Sequence, residues 1–129
     1  MVYVLDTHTI AWFLEGSSRL GAEAKAAMVD LSADLVVPTI VLVEIEFLYA
    51  KKRASVSSQS VHQYLTGAAN CVVYPLDEQV VSLIPTTLNI HDAIIVATGI
   101  LYRDILSKQV SIIAKDREIA ASGLVSTVW

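Results

Sequence analysis

Short runs of aliphatic residues alternate along the chain with longer stretches in which apolar positions recur every three or four residues. Uninterrupted aliphatic runs predict strands buried on both faces, and the longer stretches predict helices. The predicted strands cover residues 2–5, 35–37, 72–74, 110–114 and 124–128. The predicted helices cover residues 9–14, 21–31, 40–53, 58–66, 77–84, 91–106 and 117–121. Strands alternating with helices predict a parallel sheet covered by helices on both faces.

Three residues are expected to cap or end these elements. Thr39 is a plausible N-cap for helix 40–53, and Asp77 for helix 77–84, because both side chains can accept a backbone hydrogen bond. Gly67 is expected to stop helix 58–66. Residues 85–90 are predicted to form a loop.

Length and composition predict one globular domain over residues 1–129. The hydrophobic fraction is 54 % and the mean hydropathy is +0.57, which are high values. No apolar run approaches the ~20 residues of a membrane span, and the N-terminus lacks the basic start of a signal peptide. We therefore assign the excess of apolar residues to the hydrophobic core and to an apolar surface that another chain covers.

Net charge and cysteine content further limit the kinds of protein that the sequence fits. The net charge of −4 does not favour a nucleic-acid binder of the usual basic type, although clustered acids could hold cations. Cys71 is the only cysteine, which excludes a disulfide or a thiolate metal site within one chain. A single cysteine without a disulfide partner is typical of a cytoplasmic protein.

Three aspartates stand at the ends of predicted elements. Asp6 follows the first strand and Asp116 follows the fourth, so both belong at the carboxyl edge of the sheet, where ligands bind. Asp92 begins helix 91–106. Taken singly, each fits a turn residue or a helix cap better than a ligand.

Glu44 is harder to explain as a structural residue. Its neighbours on the same helix face, three and four positions away, are all apolar, and a buried carboxylate needs a cation or a proton. Glu46 has mainly apolar neighbours too, so periodicity does not decide between the two glutamates. The neighbours of Glu44 are Ile40, Val41, Phe47 and Leu48.

Four acids meeting at one sheet edge would repel one another without a counter-ion. Carboxylate oxygens suit Mg²⁺ or Mn²⁺, and such an ion can activate water and stabilise a leaving phosphate oxygen. The predicted chemistry is phosphodiester hydrolysis. His8 and His91 lie next to two of the acids in sequence, and local packing roles are favoured for both.

Four segments together resemble the PIN domain family, and within it the VapC-type toxin ribonucleases of toxin–antitoxin pairs. The resemblance covers essentially the whole chain. The segments are "VYVLDTHTI", "VPTIVLVEIEFL", "HDAIIVATGI" and "IIAKDREIAASGLVSTVW".

The resemblance implies a three-layer α/β/α sandwich with a parallel sheet of about five strands. It places the catalytic, metal-binding acids on Asp6, Glu44, Asp92 and Asp116, and so favours Glu44 over Glu46. Thr7 matches a hydroxyl residue that supports the site. It further implies metal-dependent RNA cleavage, a homodimer, and inhibition by an antitoxin whose tail fills the groove beside the acids.

Several basic residues are candidates for contacts with substrate phosphates. A solvated helix end explains Lys51 equally well, and a surface arginine is the simpler interpretation of Arg103. The candidates are Lys51, Arg103, Lys115 and Arg117.

Other functions remain open at this point. A receiver-like signalling domain also gathers acids around Mg²⁺, but Asp77, after the third strand, looks like a helix cap rather than a phosphoacceptor. An aspartyl phosphatase expects a second acid at position 8, which is His8. A binding module without catalysis is disfavoured by four retained acids. A PIN nuclease that processes RNA without being a toxin is a further alternative.

Overall fold

The computed structural model describes all residues, 1–129, and shows a five-stranded parallel sheet between two helical layers. The strands are β1 (Val2–Leu5), β2 (Asp34–Pro38), β3 (Cys71–Tyr74), β4 (Val110–Ile113) and β5 (Thr127–Val128). The helices are α1 (Thr7–Glu15), α2 (Ala22–Val29), α3 (Thr39–Ala50), α4 (Ser58–Gly67), α5 (Glu78–Ser82), α6 (Ile90–Ile100) and α7 (Arg117–Ser122). The predicted α/β class is confirmed.

The strand order is β3-β2-β1-β4-β5, which places β1 at the centre of the sheet. The chain winds from β1 outward through β2 to β3, and then crosses to the other side of β1 for β4 and β5. The winding direction therefore reverses between β1 and β4, whose last residues, Leu5 and Ile113, are paired. Open parallel sheets bind ligands beyond the carboxyl ends of the strands at such a point.

The core explains why the aliphatic runs become strands. Residues of β1, β2 and β4 are almost entirely buried, as expected for strands with helices on both faces. Helix α6 packs across β1, β2 and β4, while α1, α3 and α4 pack against one another. None of the helices combines the length and apolarity that a membrane crossing requires.

Several predicted boundaries were wrong for local reasons. Thr39 is the first residue of α3 and not its cap; Pro38 is the cap, and the Thr39 hydroxyl accepts a hydrogen bond from Leu76 N at 3.2 Å. Helix α3 ends at Ala50, just before Lys52 takes a positive φ of 59°. The predicted helix 91–106 begins one residue early, at Ile90, and becomes a π-helix over Leu101–Ile105.

The remaining caps follow the sequence closely. Ser57 accepts a hydrogen bond from Ser60 N and begins α4, and Asp77 accepts one from Val80 N at 2.9 Å and begins α5. Asp77 is therefore occupied as a helix cap. The last strand is shorter than predicted, since only Thr127–Val128 pairs with β4.

Candidate metal-binding active site

A pocket of about 370 Å³ opens at the carboxyl edge of the sheet, where the winding direction reverses. The structure brings all four predicted acids and Thr7 to its walls, from elements that are far apart in sequence. Lys115 also lines it. The lining residues are Asp6, Thr7, His8, Trp12, Glu44, Asp92, Ile95, Lys115 and Asp116.

Asp6 is the most deeply buried of the four acids, with 7 % of its surface exposed. It is also the N-cap of α1, because its Oδ1 accepts a hydrogen bond from Thr9 N at 2.9 Å. Asp6 thus caps α1, as the sequence suggested, and also lines the pocket. Capping fixes the rotamer, and the second carboxylate oxygen carries no protein hydrogen bond.

Thr9 connects Asp6 to the neighbouring strand. Its Oγ1 lies 2.5 Å from Asp6 Oδ1 and 2.7 Å from the carbonyl oxygen of Ile113, the last residue of β4. A hydroxyl has a single proton, so Thr9 can donate to only one of these two acceptors. The hydroxyl therefore lies between two buried acceptors, the Asp6 carboxylate and the Ile113 carbonyl, and links the start of α1 to the end of β4.

The surroundings of Asp6 shift its pKa in both directions. Burial raises the pKa of Asp6, and the hydrogen bonds from Thr9 and the nearby His8 oppose the shift, while Glu44 adds to it. A cation in the pocket would stabilise the charged carboxylate and so oppose the effect of burial.

Asp92 lies in the first turn of α6, three residues after its N-cap, Asn89. The two side chains are linked, since Asn89 Nδ2 donates to Asp92 Oδ2 at 2.7 Å and Asp92 N donates to Asn89 Oδ1 at 3.0 Å. The cap role considered for Asp92 therefore belongs to Asn89. Asn89 instead orients the Asp92 carboxylate.

The pKa of Asp92 is raised to about 6, first by burial and then by a hydrogen bond and charge repulsion from Asp116. The amide of Asn89 opposes this shift, and Glu44 adds to it. Neighbouring carboxylates without a counter-ion raise one another's cost of ionisation. The site is therefore built so that a cation relieves an existing repulsion.

Asp116 is the N-cap of α7, and its Oδ1 accepts a hydrogen bond from Glu118 N at 2.7 Å. Carboxylate oxygens of Asp92, Asp116 and Glu118 lie within 4.8 Å of one another. Sequence reasoning missed Glu118, although an acid two residues after Asp116 in the first helical turn was a readable signal. Exposed acids can cluster without a metal, so Glu118 is a secondary candidate.

Glu44 lies in the pocket, but the reasoning from burial that singled it out was wrong. Its side chain is 25 % exposed, and its same-face neighbour Phe47 is 63 % exposed. Its carboxylate is 3.5 Å from Nδ1 of His91, a partner supplied by another helix. Glu46 lies outside the pocket and accepts a hydrogen bond from Ser58 in α4.

The residues present fit a divalent cation. The hydroxyl oxygen of Thr7 is buried in the pocket wall and has no protein hydrogen-bond partner. Buried polar atoms are nearly always paired, so an unpaired hydroxyl beside four carboxylates indicates a site for a ligand that supplies the partner. An all-oxygen donor set suits Mg²⁺ or Mn²⁺.

The predicted basic residues occupy different places. Lys115 lines the acidic pocket, and Lys51 lines an adjoining groove. Arg117 is exposed in the first turn of α7 and is not part of either wall. Arg103 does not lie near the acids. It is on the π-helix, and a rise of 1.5 Å per residue places it roughly 16 Å from Asp92 along the helical axis. Its guanidinium is held by Asp104 and by the carbonyl of Leu124.

The adjoining groove has a volume of about 350 Å³ and shares Glu44 with the acidic pocket. Val43 and Phe47 are largely exposed in its wall, at 48 % and 63 %. The complete lining is Val43, Glu44, Phe47, Leu48, Lys51, Arg53 and His91. An apolar groove bordered by cations and open to the acids is thus part of the same face.

A parallel sheet with four carboxylates gathered at its central carboxyl edge defines a PIN-like α/β protein. The PIN domain family model matches residues 3–122, so the chain belongs to the PIN domain family. This assignment replaces the receiver interpretation, as does the capping role of Asp77.

Solved structures agree on the fold. The chain is similar to VapBC2 from Rickettsia felis bound to a DNA fragment from their promoter, with a TM-score of 0.66, 10 % identity, and coverage of 99 % of this chain and 98 % of that chain. It is also similar to VapBC-1 from nontypeable Haemophilus influenzae, with a TM-score of 0.61, 18 % identity, and coverage of 99 % and 97 %. No curated protein matches the sequence.

Proposed function

We propose that residues 1–129 form a single nuclease domain that hydrolyses RNA phosphodiester bonds with a divalent metal ion, Mg²⁺ or Mn²⁺. The observation that carries this proposal is the meeting of Asp6, Glu44, Asp92 and Asp116 in one pocket beside the unpaired hydroxyl of Thr7. PIN domains are generally nucleases, and this family matches nearly the whole chain.

The four acids would hold the metal, which supplies Lewis-acid stabilisation of phosphate oxygens and lowers the pKa of a bound water. The protein's own contribution is positioning. Asn89 and Thr9 hold Asp92 and Asp6 in place, and the cap of α7 fixes Asp116. The ammonium of Lys115, in the pocket wall, offers a direct contact to the scissile phosphate.

The chain also fits the toxin of a type II toxin–antitoxin pair acting in the cytoplasm as a homodimer. The two structures named above are VapBC complexes, and the exposed apolar groove beside the acids offers a binding surface for an antitoxin segment. Such a segment would explain why Val43 and Phe47 are exposed in the free chain. It would also reach Glu44 and so block the pocket.

Glu44 and Glu46 provide a matched pair for testing this function. Induced expression of the wild-type chain in bacteria is expected to arrest growth, and Glu44→Gln is expected to relieve the arrest. Loss of a direct metal ligand should exceed the roughly 10–100-fold cost of losing an outer-shell partner. Glu46→Gln keeps its contact to Ser58 and should remain toxic. Growth and soluble protein level are measured together.

Two outcomes would change the account. Equal toxicity of Glu44→Gln and wild type, at equal soluble levels, would remove Glu44 from the site. RNA cleavage by the purified wild-type chain without any growth arrest would favour the alternative of an RNA-processing nuclease that is not a toxin.

A further inference from the structure

His8 and Trp12 form a stack of two aromatic rings at the edge of the acidic pocket. Their ring centroids are 5.0 Å apart and the ring planes differ by 27°. Both residues line the pocket, and they lie one turn apart on α1. Their spacing of four residues explains why the rings touch. It does not explain why the stack ends at the acids.

The stack has one anchored end and one open end. Trp12 is half-buried, and Trp129 packs edge-on against it with centroids 5.8 Å apart. His8 is exposed, so the ring face turned away from Trp12 is available to a further flat group. Trp129 therefore supports the Trp12 end of the stack, and the His8 end is exposed.

Two cations lie over the Trp12 ring. Lys115 Nζ lies 5.5 Å and Arg19 Cζ lies 5.8 Å from the Trp12 ring centroid. Neither forms an ion pair; the two ion pairs in the molecule join His91 to Glu44 and Arg103 to Asp104. Lys115 also lines the acidic pocket, whereas Arg19 contacts Trp12 from outside the pocket lining. Their N–H groups remain free to bind phosphates.

We propose that His8 and Trp12 form a stacking platform for one base of single-stranded RNA, with Lys115 and Arg19 contacting the flanking phosphates. This inference rests on the proposed ribonuclease function and assigns His8 a binding role. Single-stranded RNA is bound by the combination found here, aromatic faces plus a cationic path for the backbone. Stacking tolerates any base, so the platform positions the strand beside the acids without selecting a sequence.

The test compares affinities for two probes of equal length and charge. One is a single-stranded RNA hexamer of mixed sequence, and the other is the same ribose-phosphate chain without bases. Binding is measured in an Asp92→Asn background so that no strand is cut. The parent is expected to prefer the hexamer. His8→Ala is expected to lower that preference about 5-fold to 100-fold, the usual effect of losing one stacking partner.

Two variants control for changes unrelated to stacking. His8→Phe keeps a flat ring and is expected to restore the preference. His62→Ala removes an exposed histidine on α4, outside the pocket, and is expected to leave it unchanged. His8 is exposed and alanine favours helices, so His8→Ala should fold normally, which its circular dichroism checks.

The platform is overturned if the parent shows no preference for base-bearing RNA, or if His8→Ala retains the full preference. Failure of the proposed nuclease function gives a different result. In that case the chain with all four acids intact cleaves no RNA, whatever the binding assay shows.

Discussion

Replacing Asp92 with Asn is expected to slow RNA cleavage at least about a hundredfold and to stabilise the metal-free chain near neutral pH. The first effect follows from removing a direct metal ligand, which should cost more than the roughly 10–100-fold loss for an outer-shell partner. The second follows from electrostatics, because burial, and then the neighbouring Asp116, make ionisation of the Asp92 carboxylate costly.

The sign of the stability effect can be worked out from the pKa. In the folded chain the pKa of Asp92 is raised from 3.8 to about 6, so between these values the folded chain holds a proton that the unfolded chain has released. The unfolding free energy therefore falls as pH rises from about 4 to above 6. Asn cannot ionise, so in the variant the unfolding free energy should no longer show the decrease with pH that is due to Asp92.

Urea denaturation in a chelator across pH 4–7, combined with cleavage rates in metal, measures both effects. Asp104→Asn is a suitable control, because Asp104 lies outside the pocket and pairs with Arg103. It should leave cleavage unchanged. A variant of Asp92 that cleaves normally, or that keeps the full pH dependence of stability, would show that this carboxylate does not carry the proposed role.

Replacing Thr9 with Val is expected to lower the unfolding free energy by ~1–3 kcal/mol and to reduce cleavage as well. The side chains are similar in shape, but Val cannot bridge Asp6 and the Ile113 carbonyl. Asp6 Oδ1 keeps its bond from the backbone N of residue 9, and the Ile113 carbonyl keeps its bond from Asp6 N, but the buried carboxylate loses its side-chain donor. Thr9 does not line the pocket, so we expect it to act as a positioning residue for Asp6.

Thr98→Val separates positioning from the general loss of a buried hydroxyl. Thr98 is 1 % exposed, and its hydroxyl donates to the carbonyl of Ile94 within α6. In Thr98→Val the Ile94 carbonyl keeps its backbone hydrogen bond within the helix, so stability and cleavage should stay close to wild type. Stability is measured by urea denaturation, and positioning by the metal concentration that gives half-maximal cleavage. An unchanged metal requirement in Thr9→Val would contradict the positioning role.

The fold and the two strand-end aspartates were predictable for the same reason. Aliphatic runs identify buried parallel strands, and the carboxyl ends of such strands share one edge of the sheet. That edge necessarily holds Asp6 and Asp116, since they follow β1 and β4. The position of Asp92 could not be predicted in this way, because the start of a helix does not by itself show which edge of the sheet it faces.

Glu44 and Arg103 show where sequence periodicity stops being informative. Helix α3 is apolar on nearly all sides, so its pattern did not reveal that Phe47 and Val43 face outward. Arg103 was a candidate for a phosphate contact, but three helical turns separate it from Asp92. The long-range contacts, Thr9 with Ile113 and His91 with Glu44, depend on tertiary packing that no local pattern encodes.

The most direct test of the acidic site is to incubate the purified wild-type chain with single-stranded RNA in a chelator, and then with excess Mg²⁺ or Mn²⁺. We expect intact RNA in the chelator, cleavage after either metal is restored, and no cleavage by Asp116→Asn in any condition. Cleavage that persists in the chelator, or that Asp116→Asn performs as well as wild type, would contradict the central claim that these acids form a metal-dependent ribonuclease site.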